Sequence, residues 1–130
     1  MSASLDKPTV LVIDDSEMIT CLVSSFLEPA GYAVVTANCG ADGLNVVTTI
    51  RPAAVICDFT MPGMSGLAVL DRLRRNAGTC DVPFILLVNG LEQLPHQSTN
   101  QPYDIIEKPF RPSRLVEAVW RVTGTGYAPW

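Results

Sequence analysis

The stretch Ala53-Ala54-Val55-Ile56-Cys57-Asp58-Phe59-Thr60-Met61-Pro62-Gly63-Met64-Ser65-Gly66 decides the fold. It opens with an apolar run, Ala53 to Cys57. A short continuous apolar run bounded by turn signals reads as a strand buried on both faces, the usual state in a parallel sheet. The run ends on a carboxylate, Asp58. Pro62 and Gly63 then mark a loop from Thr60 to Met64. Ser65 is placed to cap a helix whose apolar side is Leu67, Leu70 and Leu73.

The same strand–acid–helix unit recurs upstream. Thr9 to Ile13 (TVLVI) runs into Asp14-Asp15, and Ser16 can cap a helix carrying Ile19, Leu22, Val23, Phe26 and Leu27. Pro29 and Gly31 stop it. Tyr32 to Ala37 is a second strand, and Ala41 to Ile50 a helix with Leu44, Val47 and Ile50 on one face, broken at Arg51-Pro52. Downstream, Asp71 and Arg75 stand four apart on the third helix and can pair across a turn. Asp81 to Val88 is the fourth strand. Gly90 to Pro102 is poor in apolar residues and holds Pro95 and Pro102, so at most a short helix forms, near Leu91 to Leu94. Tyr103 to Glu107 is a fifth strand ending at Lys108-Pro109. Ser113 to Val122 is a last helix with Leu115, Val116, Val119 and Trp120 on its apolar side, ended by Gly124 and Gly126.

Alternating strands and helices imply a parallel sheet with helices on both faces and right-handed crossovers. The expected organisation is one domain over residues 9–123, an N-terminal extension 1–8 and a tail 124–130. A chain of 130 residues that is 48% hydrophobic has the material for one core, which argues against disorder. The net charge of −4 argues against direct nucleic-acid binding and does not favour an anionic membrane. No apolar run approaches the roughly 20 residues of a membrane span. Met1 to Pro8 lacks the apolar core of a signal peptide. A soluble, cytoplasmic protein is the expectation. Cys21, Cys39, Cys57 and Cys80 are widely spaced and form no cluster with the single histidine, His96, so they read as reduced thiols.

In such sheets ligands bind beyond the carboxyl ends of the strands. Asp14, Asp15, Asp58 and Lys108 all fall at such ends and should converge. Two like charges 4 Å apart repel by about 4 kcal/mol at an effective dielectric near 20. A hard cation such as Mg²⁺ relieves that repulsion and leaves room for a phosphoryl oxygen. Lys108 would oppose the phosphoryl charge, and an Asp beside the metal is a competent nucleophile towards phosphorus. Singly, each residue has an ordinary explanation: acids cap helices, an Asp before Pro sits in a turn, a Lys before Pro is solvated. Their conjunction at matching strand ends is the discriminating feature.

The segments V-L-V-I-D-D-S, V-I-C-D-F-T-M-P-G-M-S-G and I-I-E-K-P-F resemble the receiver domain of two-component response regulators. The resemblance covers nearly the whole chain, and the D-x-x-M-P-x-M-x-G run is its most specific part. It implies a flavodoxin-like, doubly wound sheet of five strands in the order 2-1-3-4-5. It also implies that Asp58 accepts a phosphoryl group from a histidine kinase or phosphotransfer protein. Asp14, Asp15 and the backbone carbonyl of Thr60 would then hold Mg²⁺ with Asp58, and Lys108 would contact the phosphoryl group. Pro109 would follow a cis peptide, and Gly66 would allow close packing beside the phosphorylation loop. Such a domain catalyses only its own phosphorylation and dephosphorylation and passes the signal to a downstream protein; homodimerisation is compatible with it.

Three features depart from the family. Receivers usually carry Ser or Thr at the end of the fourth strand, where ungapped counting places Val88, or Asn89 with a one-residue slip. They often carry an aromatic residue three before the lysine, where this chain has Ile105; Tyr103 lies two residues earlier. The segment between Val88 and Lys108 is short, so the fourth helix should be short or irregular. These departures keep alive a second reading, a pseudo-receiver that binds partners independently of phosphate. A Mg²⁺-dependent phosphatase with an Asp nucleophile would typically carry a second Asp at Thr60. In a flavodoxin-like electron carrier, Asp14-Asp15 would repel the FMN phosphate.

Overall fold

The computed structural model describes residues 7–91, 94–95 and 100–124. The element order is β1 (Thr9–Ile13), α1 (Glu17–Leu27), β2 (Ala33–Ala37), α2 (Gly40–Ile50), β3 (Ala54–Asp58), α3 (Gly66–Arg75), β4 (Phe84–Val88), β5 (Asp104–Glu107) and α4 (Pro112–Thr123). The five strands form one parallel sheet in the order β2-β1-β3-β4-β5. The parallel sheet is the one expected from the alternating pattern, and its doubly wound order is the one the resemblance implies.

Strand periodicity splits the core in two. Leu11, Ile13, Val55, Cys57, Leu86 and Val88 face Val47 of α2 and Val69, Leu70 and Leu73 of α3. Val10, Val12, Ile56, Ile85, Leu87 and Ile106 face Val23 and Leu27 of α1 and Leu115 and Val119 of α4. β3 and β4 are buried along their full length, which is why neither shows an alternating polar face in the sequence.

The two serines expected as caps do cap. Ser16 Oγ accepts from Ile19 N at 3.3 Å and Ser65 Oγ from Ala68 N at 3.2 Å. α4 starts with Pro112, whose missing N–H is no loss in a first turn, and ends at Gly124 with φ of 66°. Several boundaries move by one to three residues. Tyr32 is outside β2 because its N–H donates to Leu27 O at the end of α1, at 3.3 Å. β4 starts at Phe84 rather than Asp81: Val82 N turns back to Thr79 O at 3.2 Å, and Pro83 has no N–H to give a ladder. Tyr103 donates to Phe84 O at 2.7 Å but precedes β5, with its residue 63% exposed. Asp71 does not pair with Arg75; its Oδ1 accepts from Asn100 Nδ2 at 2.9 Å, tying α3 to the segment before β5.

Among the described residues no α-helix lies between β4 and β5. Leu94 N donates to Leu91 O at 3.2 Å, a single turn. Part of the short helix expected there, residues 92–93, falls outside the described residues, as do His96, residues 1–6 of the extension and 125–130 of the tail. Among the described residues no helix is long and apolar enough to cross a membrane.

Candidate functional site

The strand register brings the acids together. β1 lies beside β3 with Ile13 opposite Cys57, so the next residues, Asp14 and Asp58, leave adjacent strands at the same level. One carboxylate oxygen each from Asp14, Asp15 and Asp58 falls within a group no more than 4.8 Å across. Asp14 and Asp58 are buried, and Asp15 is exposed at the rim. Lys108, carried in by the end of β5, donates from Nζ to Asp58 Oδ1 at 2.8 Å and lies 3.6 Å from Asp14 Oδ2. Its backbone N–H is held by Val88 O at 2.8 Å, so the lysine is fixed to the carboxyl end of β4. The Lys108–Pro109 peptide is cis. Thr60 is exposed in the loop two residues beyond Asp58.

Gly66 opens α3 directly under this loop. Its N–H donates to Phe59 O at 2.9 Å. A Cβ there would lie 2.5 Å from the Asp58 carbonyl oxygen and 2.7 Å from Leu86 Cδ1. The close packing expected of Gly66 beside the loop that follows Asp58 is therefore present.

The polar groups are unevenly satisfied. Asp14 Oδ1 accepts from Ser16 N at 2.9 Å, but buried Oδ2 has no hydrogen-bond partner. Burial pushes the Asp14 carboxyl above its ordinary pKa; the Ser16 N–H opposes this, Asp58 adds to it, Lys108 opposes it and Asp15 adds to it. Neighbouring Cys57 is a wholly buried thiol pushed strongly up by desolvation and then by Asp58 and Asp14. It is thus a packing residue rather than a nucleophile. All four cysteines are free.

The donor set fits a hard divalent cation. The three carboxylates are all oxygen donors, one of their buried oxygens has no hydrogen bond, and a single ammonium leaves two negative charges uncompensated. Asp14, Asp15 and Asp58 are the residues that would hold it.

Sequence reading missed the surroundings on the β2 side. A cleft of about 740 Å³ adjoins the cluster, lined by Asp14, Asp15, Glu17, Asn38, Asp42 and Asn45 among others. Asn38 follows the carboxyl end of β2, so the strand-end rule could have found it.

Comparison with known proteins agrees with this geometry. The family model for the response regulator receiver domain matches residues 10–120. The phosphate regulon transcriptional regulatory protein PhoB of Pseudomonas aeruginosa is 35% identical over 123 residues, spanning 91% of this chain and 54% of that protein. The chain therefore spans about half the length of that curated relative. The chemotaxis response regulator CheY4 of Vibrio cholerae superposes with a TM-score of 0.82 at 29% identity, over 90% of this chain and 99% of that one. The receiver domain of a sensor histidine kinase from Pseudomonas aeruginosa PAO1 gives 0.84 at 20% identity, over 92% and 100% of the two chains. That structure holds a magnesium ion in its active-site cleft; at this identity the likeness shows the fold alone. With the sheet order, the acid cluster and a family match over most of its length, the chain belongs to the receiver domains of two-component response regulators.

Proposed function

We propose that Asp58 is the phosphoacceptor, taking a phosphoryl group from a phosphohistidine of a histidine kinase or phosphotransfer protein. The observation that carries this reading is the convergence of Asp14, Asp15 and Lys108 on the Asp58 carboxylate. An Asp58 oxygen attacks phosphorus, an O–P bond forms and the P–N bond breaks. The electron pair leaves with the imidazole nitrogen, and the product is an acyl phosphate on Asp58. Lys108 Nζ, already 2.8 Å from Asp58 Oδ1, follows the charge onto the phosphoryl oxygens. Asp14, Asp15 and Asp58, with the Thr60 carbonyl as a further ligand, would hold Mg²⁺, which would supply charge neutralisation at the phosphoryl group. The domain acts on no other substrate. Its phosphorylated form is read by a downstream protein rather than by nucleic acid directly.

Acetyl phosphate with Mg²⁺ tests this reading. Intact-mass measurement should show one added phosphoryl group on the wild type, and none on Asp58→Ala or after removal of divalent cations by EDTA. Equal incorporation in Asp58→Ala would refute the assignment.

A further inference from the structure

The surroundings of Asp58 are polar on one side and apolar on the other. Asp14, Asp15 and Lys108 make the polar side. Towards β4, Asp58 stands in register with Leu87, and Phe59 N donates to Leu87 O at 2.8 Å. The next residue, Val88, is wholly buried. It belongs to the apolar cluster containing Cys57, Met61 and Leu86, against which Ile105 and Leu94 also pack. Its methyl groups neither donate nor accept, and its carbonyl already receives the Lys108 N–H. Asn89 is exposed and lies beyond the strand, so it does not take the strand-end position.

A bound group shifts a conformational equilibrium only through contacts it makes in one state and not in the other. The carboxyl end of β4, Leu87 and Val88, presents no side-chain donor to a phosphoryl group on Asp58. β5 is held separately. Arg114 donates to both Asp104 carboxylate oxygens at 3.1 Å and to Ile105 O at 3.2 Å. Ile105 has no ring to reorient and packs, partly buried, against the apolar cluster.

We propose that Val88 insulates the β4–β5 edge from the phosphorylation state of Asp58. The phosphorylated form is then distinguished only at the strand-end surface formed by Asp14, Asp15, Asp58 and Lys108, and a partner must touch that surface to read it. This rests on Asp58 being the phosphoacceptor. It changes what phosphorylation does: charge and shape are altered locally, without rearrangement of the surface bearing Leu91 and Tyr103.

Amide NMR of the full chain, titrated with beryllofluoride and Mg²⁺, tests the inference. In the wild type, shifts should centre on residues 14–16, 58–60 and 108, while Leu91 and residues 103–106 change little. Val88→Thr keeps the volume and adds a hydroxyl. It should carry the shifts into residues 103–106 and tighten beryllofluoride binding about tenfold, as one more hydrogen bond to a charged group would. Wild-type shifts at Ile105 and Tyr103 as large as those at Asp58 overturn the inference, and that measurement does not depend on the variant folding. An unchanged shift pattern in folded Val88→Thr also overturns it. No Mg²⁺-dependent shift at Asp58 overturns the phosphoacceptor reading itself, and the inference with it.

Discussion

Two ion pairs lie at opposite ends of β5, and they are built to opposite ends. At the start of the strand, Arg114 meets Asp104 with two 3.1 Å hydrogen bonds and spends a third on Ile105 O. One cation faces one anion, and both oxygens of the carboxylate are taken. Just past the end of the strand, Lys108 meets Asp58 at 2.8 Å and Asp14 at 3.6 Å, with Asp15 beside them. There the charges do not balance, and a buried oxygen of Asp14 has no hydrogen bond. The first pair fastens an edge strand to α4. The second leaves negative charge unspent at a place a ligand can reach. Counting salt bridges would treat them alike; what separates them is what remains unsatisfied after the pair has formed.

Lys108 is the sharpest place to break the comparison. Lys108→Met keeps most of the stem and removes the charge. The rate of phosphoryl incorporation from acetyl phosphate should fall roughly 10²-fold, the usual loss when one preorganised charge is removed from a transition state. Mg²⁺ affinity should move the other way, because the ion no longer competes with an ammonium for Asp58 and Asp14. Calorimetric titration reads the second effect independently of the first. A rate change under threefold would mean that the lysine is merely a structural partner, like Arg114.

The next effect in size concerns how the corner is supported. At the first position of α3, Gly66→Ala should gain less than the roughly 1 kcal/mol that the change brings in a helix interior. The new Cβ, however, meets the Asp58 carbonyl oxygen at 2.5 Å and Leu86 at 2.7 Å. A backbone oxygen in a buried strand cannot yield as the tip of a side chain can. Overpacking should win, with a net loss of about 1–3 kcal/mol seen as a lower urea midpoint at unchanged m. Gly78→Ala is the matched control: its Cβ would meet only Asn76 Oδ1, at 3.5 Å, and stability should hardly change.

The legibility of these features in the sequence follows their physical range. The strand interiors were readable because burial on both faces leaves only apolar residues, as in Val55-Ile56-Cys57. The convergence of Asp14, Asp15, Asp58 and Lys108 was readable because a parallel sheet brings all strand carboxyl ends to one edge. Boundaries were less so. Tyr32 leaves β2 and Val82 precedes β4 because of particular backbone bonds to Leu27 and Thr79, which periodicity does not encode. The Asp71–Arg75 spacing misled because Asn100, distant in sequence, takes the same carboxylate. Nor could spacing show that one oxygen of Asp14 is satisfied by Ser16 and the other left without a hydrogen bond.

The smallest effect tests the balanced pair. Burial raises the Asp104 carboxyl, but the Arg114 hydrogen bonds, the Ile105 N–H and the Arg114 charge outweigh it, so its pKa lies below the ordinary carboxylate value. Its contribution to stability is then fully present above the unfolded carboxylate pKa of about 3.9 and is lost as pH falls through the lower folded value. The side chains of Arg114 and Asp104 are 41% and 29% exposed, so solvent screening limits the contribution to about 0.5 kcal/mol. Asp104→Asn should therefore lower the urea midpoint slightly at pH 7, and the difference from wild type should close in acid. Phosphoryl incorporation at Asp58 should not change, because this pair contacts none of the acids at the sheet edge. If the variant instead slowed phosphorylation as Lys108→Met does, the two ends of β5 would be coupled and the distinction between a fastening pair and a functional one would fail.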